Sequence, residues 1–465
     1  MKANSNKGTM ISSALNYSKT HFDRFVDELI DFLRIPSIST VPSSAKDVDK
    51  AAHWLVHHLQ SLGLHDAKAF PTEGHPIVVA HYEVDPSRPT VLVYGHYDVQ
   101  PVDPLDLWDS PPFSPVIKDG ILYARGACDD KGQLFMHLKA FEAWMQTSGR
   151  APVNLKFILE GEEESGSASL PGFIETHRNA LAADVVVISD SSLFASGIPS
   201  ITYGLRGMTY VEMTLTGPDR DLHSGTYGGA IHNPINALGD LIGKMHDEHH
   251  RITIDGFYDR VRPLSEDELD AIDALPFNAK NWVQEVGVDL PVTEYGFSVL
   301  VSSTSRPTLD CNGIWGGYTG DGAKTVLPSQ ASAKISMRLV PDQDPKEIAE
   351  LTESWLRRHL PASMHMDFKV VHGAHPVLID TESRAMAAAA KALEDVYGCP
   401  PYFTRIGGSI PVVADFKELL GLDSVLMGFG LDSDAIHSPN EHFGLDRFAE
   451  GIEAILRFHA HYGLP

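Results

Sequence analysis

The sequence predicts an α/β domain, a mostly parallel sheet with helices on both faces, interrupted by an inserted α+β domain. Three observations carry this reading. Up to about residue 206, short apolar runs that end on polar residues alternate with helical patterns, as in a doubly wound sheet. From about 207 to 380 the style changes to half-exposed alternation, seen in Thr209–Thr216 with Tyr210, Val211, Met213 and Leu215. The first style returns over 381–465. A chain of 465 residues exceeds what one hydrophobic core sustains, so segments 1–206 and 381–465 are read as one domain and 207–380 as a second domain inserted into it.

Taken in order, Phe22, Phe25, Val26, Leu29, Ile30 and Leu33 recur at helical spacing within 20–33, and Pro36 stops the pattern. The pattern repeats over 47–62 and closes at Gly63. Residues 77–84 and 90–94 read as strands, the second delivering Gly95-His96-Tyr97-Asp98 at its end. Lys118-Asp119-Gly120 reads as a hairpin turn. A helix is expected over 132–148, then buried strands over 155–160 and 184–189. In the insertion, helices are expected over 235–245 and 345–360 and strands over 209–216, 331–340 and 366–371, with a long irregular stretch between 246 and 330. A long alanine-rich helix from Glu382, strands at 402–404 and 424–429, and a helix over 446–462 complete the chain.

Charge and composition exclude several function classes. Lys and Arg number 37 against 62 Asp and Glu, a net charge of −25, which is the wrong sign for nucleic acid or an anionic membrane surface. No apolar run is long enough to cross a bilayer, and the first 20 residues show no secretory pattern. Three scattered cysteines, Cys128, Cys311 and Cys399, make no disulfide framework and no thiolate metal site, so a cytoplasmic location is expected. Any metal must be held by histidine and carboxylate.

The strand at 155–160 is followed at once by Glu162, Glu163 and Glu164. Three adjacent carboxylates repel one another. A solvated acidic loop explains them, and so does a cation bound by one glutamate with its neighbour as base. His96, Asp129 and Asp190 stand at other strand ends, and His437 follows the last strand. Each has a plain reading: a satisfied core histidine for His96, a helix N-cap for Asp129 or Asp190. Their convergence on the crevice at the sheet's carboxyl end favours a metal site. Two divalent ions would balance one bridging carboxylate, two terminal carboxylates and a hydroxide, with two neutral histidines completing the donors. His223 reads as a polar loop residue and Arg338 as a surface ion pair. His57, His58, His249 and His250 read as solvated, His137 as packing; His372, His375 and His442 have no partner motif.

GHYDVQP (95–101), ARGACDDKG (124–132), EGEEESGS (160–167), ISD (188–190), GGSIP (407–411) and AIHSPNE (435–441) together resemble the co-catalytic zinc peptidases, which include the aminoacylases, carboxypeptidase G and the carnosine dipeptidases. ITYGLRG (201–207), DLHSGTYGG (221–229) and SMRLVP (336–341) are most similar to the cytosolic nonspecific dipeptidases of the carnosine type. The resemblance implies two divalent ions, zinc with manganese as the alternative. His96 and Asp190 would bind one, Glu164 and His437 the other, Asp129 would bridge them, and the Asp129–Asp130 peptide would be cis. It implies Glu163 as general base and acid, with the bridging hydroxide as nucleophile, and Asp98 as the residue orienting His96. It further implies a homodimer in which His223 reaches the partner's site to stabilise the oxyanion. Arg338, Arg405, Gly408 and Ser409 would bind the substrate's carboxylate end, and Thr325 would line the site from the partner chain. The expected reaction is hydrolysis of a dipeptide or very short peptide. The alternatives are an amidohydrolase acting on N-acyl amino acids and a catalytically dead metal-binding protein.

Overall fold

The computed structural model describes residues 2–464. They form two compact units, one of residues 2–203, 379–404 and 415–464, the other of Gly204–Leu378 and Arg405–Ala414.

In the first unit the sheet runs Lys68–Phe70, Ile77–Tyr82, Asn154–Glu160, Thr90–His96, Val185–Ile188, Ser424–Leu426, Ser200–Leu205. The four strands from Asn154–Glu160 to Ser424–Leu426 are mutually parallel, with His96 level with Glu160 and Ile188 level with both Tyr94 and Leu426. Their carboxyl ends therefore open along one edge, and the loops that leave them carry every candidate ligand except Asp129. The outer pairs are antiparallel. The central strands are apolar because helices cover them; Val91, Leu92, Val93, Val186 and Ile188 are fully buried.

The helix Lys131–Ser148 is buried throughout its first fourteen residues, charged ones included. Lys139 bonds Glu142 at 2.9 Å and the Nε2 of His58 at 3.0 Å, and it also pairs with Glu28. His58, expected on a solvated face, is instead stacked on Trp54 and packed beside Phe135. Burial, with Lys139 adding to it, pushes its pKa down to about 3. His137 does pack inside: it is fully buried and bonds the Ser189 hydroxyl at 2.8 Å.

Asp119 and Gly120 adopt left-handed φ values of 52° and 78°, the geometry of a two-residue hairpin turn, and they join Val116–Lys118 to Ile121–Tyr123. The first 20 residues, for which no element was expected, form the helix Lys2–Thr20. Ala14 and Ser18 are buried in it, and Tyr17 donates to Glu142 at 3.1 Å.

The second unit is built on an antiparallel sheet in the order Thr308–Gly316, Gln330–Leu339, Gly207–Thr216, His365–Ala374. Gly207–Thr216 alternates buried and half-buried residues along its whole length. Helices Pro234–Lys244 and Pro345–His359 supply Leu238, Leu241, Ile348 and Leu356 to the core against Val211, Met213 and Ile335. The stretch expected to be irregular holds three short helices, Glu266–Asp273, Ala279–Glu285 and Val299–Thr304, and the edge strand Thr308–Gly316.

Candidate metal centre

His96, Asp129 and Asp190 come together, and so do Asp129, Glu164 and His437. Asp129 belongs to both groups. Its Oδ1 lies 3.0 Å from His96 Nε2, and its Oδ2 lies 2.9 Å from His437 Nε2. His96 Nε2 is also 3.7 Å from Asp190, and His437 Nε2 is 3.3 Å from Glu164. One carboxylate thus presents an oxygen to each of two histidine–carboxylate pairs. The Asp129–Asp130 peptide is cis.

Local structure fixes each ligand. His96 is the last residue of its strand; its Nδ1 lies 3.1 Å from the Asp98 carbonyl and 3.5 Å from the Asp98 carboxylate. Asp98 is fully buried, and its two oxygens accept the backbone N–H of Glu163 at 3.3 Å and of Glu164 at 3.0 Å. Asp98 therefore steadies the imidazole at the strand end, chiefly through its carbonyl, while its carboxylate holds the 3₁₀ turn Glu163–Ser165. Gln100 donates to Glu164 at 2.7 Å. The loop bearing His437 holds Ala435, His437 and Asn440 at φ values of 56°, 61° and 64°, a conformation uncommon outside glycine that surrounding contacts must enforce.

Glu441 closes the AIHSPNE stretch, where no role was expected of it. Glu441 is buried and accepts N–H bonds from Gly126 at 2.9 Å, Cys128 at 3.0 Å and Asp129 at 3.1 Å, with the Arg125 guanidinium at 2.8 Å. It ties the His437 loop to the Asp129 loop. Asp434, also buried, grips Arg447 of the last helix through both carboxylate oxygens and accepts the Leu431 N–H at 2.8 Å. Only the position of an acidic residue four places after His437 hinted at the first clamp.

The electrostatics fit cations. Burial raises the pKa of Asp129, but hydrogen bonds from His437 and His96 outweigh it and hold the carboxyl well below the usual range. His437 is pushed up to about 10 by its bonds to Asp129 and Glu164. Burial lowers His96, yet Asp129 and Asp98 reverse this and carry it well above the ordinary value. Asp190 rises to about 7, from burial and then from Asp129. Glu163 rises to about 9, chiefly from burial, with Asp190, Glu164 and Asp129 adding to it against the opposing His96. Among the described residues no Lys or Arg forms an ion pair with Asp129, Glu164 or Asp190. Three carboxylates and two imidazoles with no thiolate are donors suited to zinc or manganese.

The remaining sequence-stated site residues belong to the second unit. Arg338 Nη1 donates to Ser409 Oγ at 2.9 Å, and burial lowers its pKa. Arg405 is buried and paired with Glu268, and Gly408 is exposed beside Ser409. His223 is exposed, with Nδ1 accepting the Gly225 N–H at 3.0 Å, and its neighbour Val326 follows Thr325, whose carbonyl accepts the Ser224 N–H at 3.1 Å. So Arg338 is brought to Ser409 and His223 to Thr325.

An α/β sheet whose parallel strand ends converge on a histidine–carboxylate cluster defines a metallohydrolase type of site. Residues 92–461 match peptidase family M20/M25/M40, and the chain belongs to that family, a family of metallopeptidases. It is 34% identical over 461 residues to the Cys-Gly metallodipeptidase DUG1 of Candida albicans, covering 95% of each chain. It is 31% identical to the human Beta-Ala-His dipeptidase, covering 97% of this chain and 92% of that one. The crystal structure of an M20 family metallo-carboxypeptidase from Sulfolobus solfataricus superposes with a TM-score of 0.85 at 33% identity, over 95% of this chain and 99% of that one.

Proposed function

We propose that this chain is a dinuclear metal-dependent dipeptidase that hydrolyses the peptide bond of dipeptides or very short peptides. The observation that supports it most is the placement of Asp129, whose two oxygens face two separate histidine–carboxylate pairs 3.0 and 2.9 Å away. The named dipeptidase relatives supply the substrate class.

In this reading His96 and Asp190 would hold one divalent ion and Glu164 and His437 the other, with Asp129 shared between the two groups. Bound there, zinc or manganese would supply Lewis acidity for water activation and carbonyl polarisation. The chain's own residues do the rest. Glu163 takes the proton from the attacking water and returns it to the leaving amine. Asp98 keeps His96 and the Glu163 backbone in register. Arg338, with Ser409 beside it, grips the substrate carboxylate through its guanidinium fork, and Arg405 and Gly408 shape the same end. His223 of the partner subunit, with Thr325 near it, donates to the oxyanion, which makes the enzyme a homodimer. The unit Gly204–Leu378 acts as lid and dimerisation domain. Three free cysteines support the cytoplasmic setting.

The test is a substrate panel with the metal-reconstituted protein. Dipeptides should turn over faster than N-acyl amino acids. Turnover confined to N-acyl amino acids would make the chain a deacylase instead, and none at all would make it a dead metal protein. Within the same assay Glu163→Ala should lower kcat by roughly two to four powers of ten and keep both ions. Loss of an ion would reverse the roles of Glu163 and Glu164.

A further inference from the structure

A cavity of about 560 Å³ lies in the first unit, lined among others by Thr72, Gly74, Glu162, Ser169, Phe173 and His177. None of the candidate metal ligands lines it. Its volume falls in the range of small-molecule sites, about 300–1,000 Å³.

Glu162 is the unusual member. The residue is 8% exposed, its Oε2 is buried without a hydrogen-bond partner, and among the described residues it forms no ion pair. Space has been made for it: a Cβ on Gly74 would stand 1.7 Å from its Oε1. A carboxylate that has shed most of its water and gained no partner is costly to keep, unless something else supplies the donors. No Lys or Arg lines the cavity to do so.

We infer that this cavity binds a small organic cation, a primary ammonium group on a short alkyl chain, with Glu162 as its counter-ion. The surroundings choose that class over a metal ion. A single buried carboxylate with neutral hydroxyls from Thr72 and Ser169 is too few oxygen donors for calcium or magnesium, which take six or more. His177 is committed through Nδ1 to the Phe173 carbonyl at 3.0 Å and is stacked on the Phe173 ring with centroids 4.0 Å apart. That aromatic surface instead suits an alkyl chain and attracts an ammonium through the ring face. Exposed Glu73 adds a second negative charge to the lining. The site bears on the metal centre through the backbone, since the Glu162 carbonyl accepts the N–H of Ser165 at 3.1 Å and of Ser167 at 2.8 Å, closing the turn that presents Glu163 and Glu164.

Calorimetric titration of the metal-loaded protein with n-butylammonium chloride tests this, with n-butanol as the uncharged analogue. Butylammonium should bind saturably and at least tenfold more tightly than butanol. Glu162→Gln should weaken it at least tenfold with metal content and Tm unchanged. Gly74→Ala gives the same loss by a different route, since its methyl group displaces the carboxylate and leaves the charge in place. It serves if the glutamine variant does not fold. Absence of saturable binding to the unmodified protein, or undiminished binding to both variants, overturns the inference.

Discussion

Glu441 shows how much a single buried carboxylate can organise. It bonds three consecutive-loop N–H groups and Arg125, so the two loops that carry Asp129 and His437 share one fastener. Partners beyond the direct ligands typically change metal affinity about 10–100-fold when lost. Glu441→Gln should therefore weaken metal binding by about that factor, measured by competition with a chromogenic chelator. Unchanged affinity would leave Glu441 as a packing residue. His96, Glu164 and Asp190 could be singled out in the sequence because each sits at or shortly after a strand end. Glu441 could not, because its partners are backbone amides of a loop over 300 residues away in sequence, and no side-chain pattern announces an amide.

At the scale of elements, three helices each carry a histidine whose surroundings favour the neutral ring, His137 and His459 fully buried and His58 half-buried. His58, His137 and His459 have pKa values pushed down to about 3, by burial first, with Lys139 adding at His58 and His459 adding at His137. In the unfolded chain each would titrate near 6.5. The unfolded state therefore binds more protons between those values. The stability these residues contribute is fully present above about pH 6.5 and is lost as pH falls toward 3, at most about 1.4 kcal/mol per pH unit for each. Urea midpoints should drop between pH 7 and pH 5, and His459→Phe should flatten that slope. An unchanged slope would mean His459 is protonated in the fold. Among the elements, the parallel strands and long helices were legible from periodicity. The edge strand Thr308–Gly316 was not, since Asp310, Cys311, Asn312, Ile314 and Trp315 are mostly solvent-facing and show no alternation. The helix Lys2–Thr20 was missed because its sequence is largely polar; among its described side chains the buried ones are Ala14 and Ser18.

For the whole molecule, the proposed dimer makes a demand on subunit mixing. Each site would draw Glu163 from one chain and His223 from the other. A mixture of Glu163→Ala and His223→Ala under exchange conditions then forms about half mixed dimers, each with one intact site and one doubly defective site. Roughly a quarter of the unmodified activity should return. Activity that stays at the level of the separate variants, with exchange shown to occur, would place His223 in its own chain's chemistry or outside it. The change in strand style near residue 206 lies beside Gly204, where the second compact unit begins. The assignment of Arg405–Ala414 to the second unit could not be read from the sequence, because it rests on tertiary contacts, such as that of Arg338 with Ser409, between segments 71 residues apart.

The two halves of the metal centre differ in their access to solvent. The His96 side chain is wholly enclosed, whereas that of His437 is 53% exposed. Two ions held there would differ in lability more than in ligand chemistry. A chelator reaching the reconstituted protein should strip it in two phases, the first removing the ion held by Glu164 and His437. A single-exponential loss of both ions would mean that they leave together.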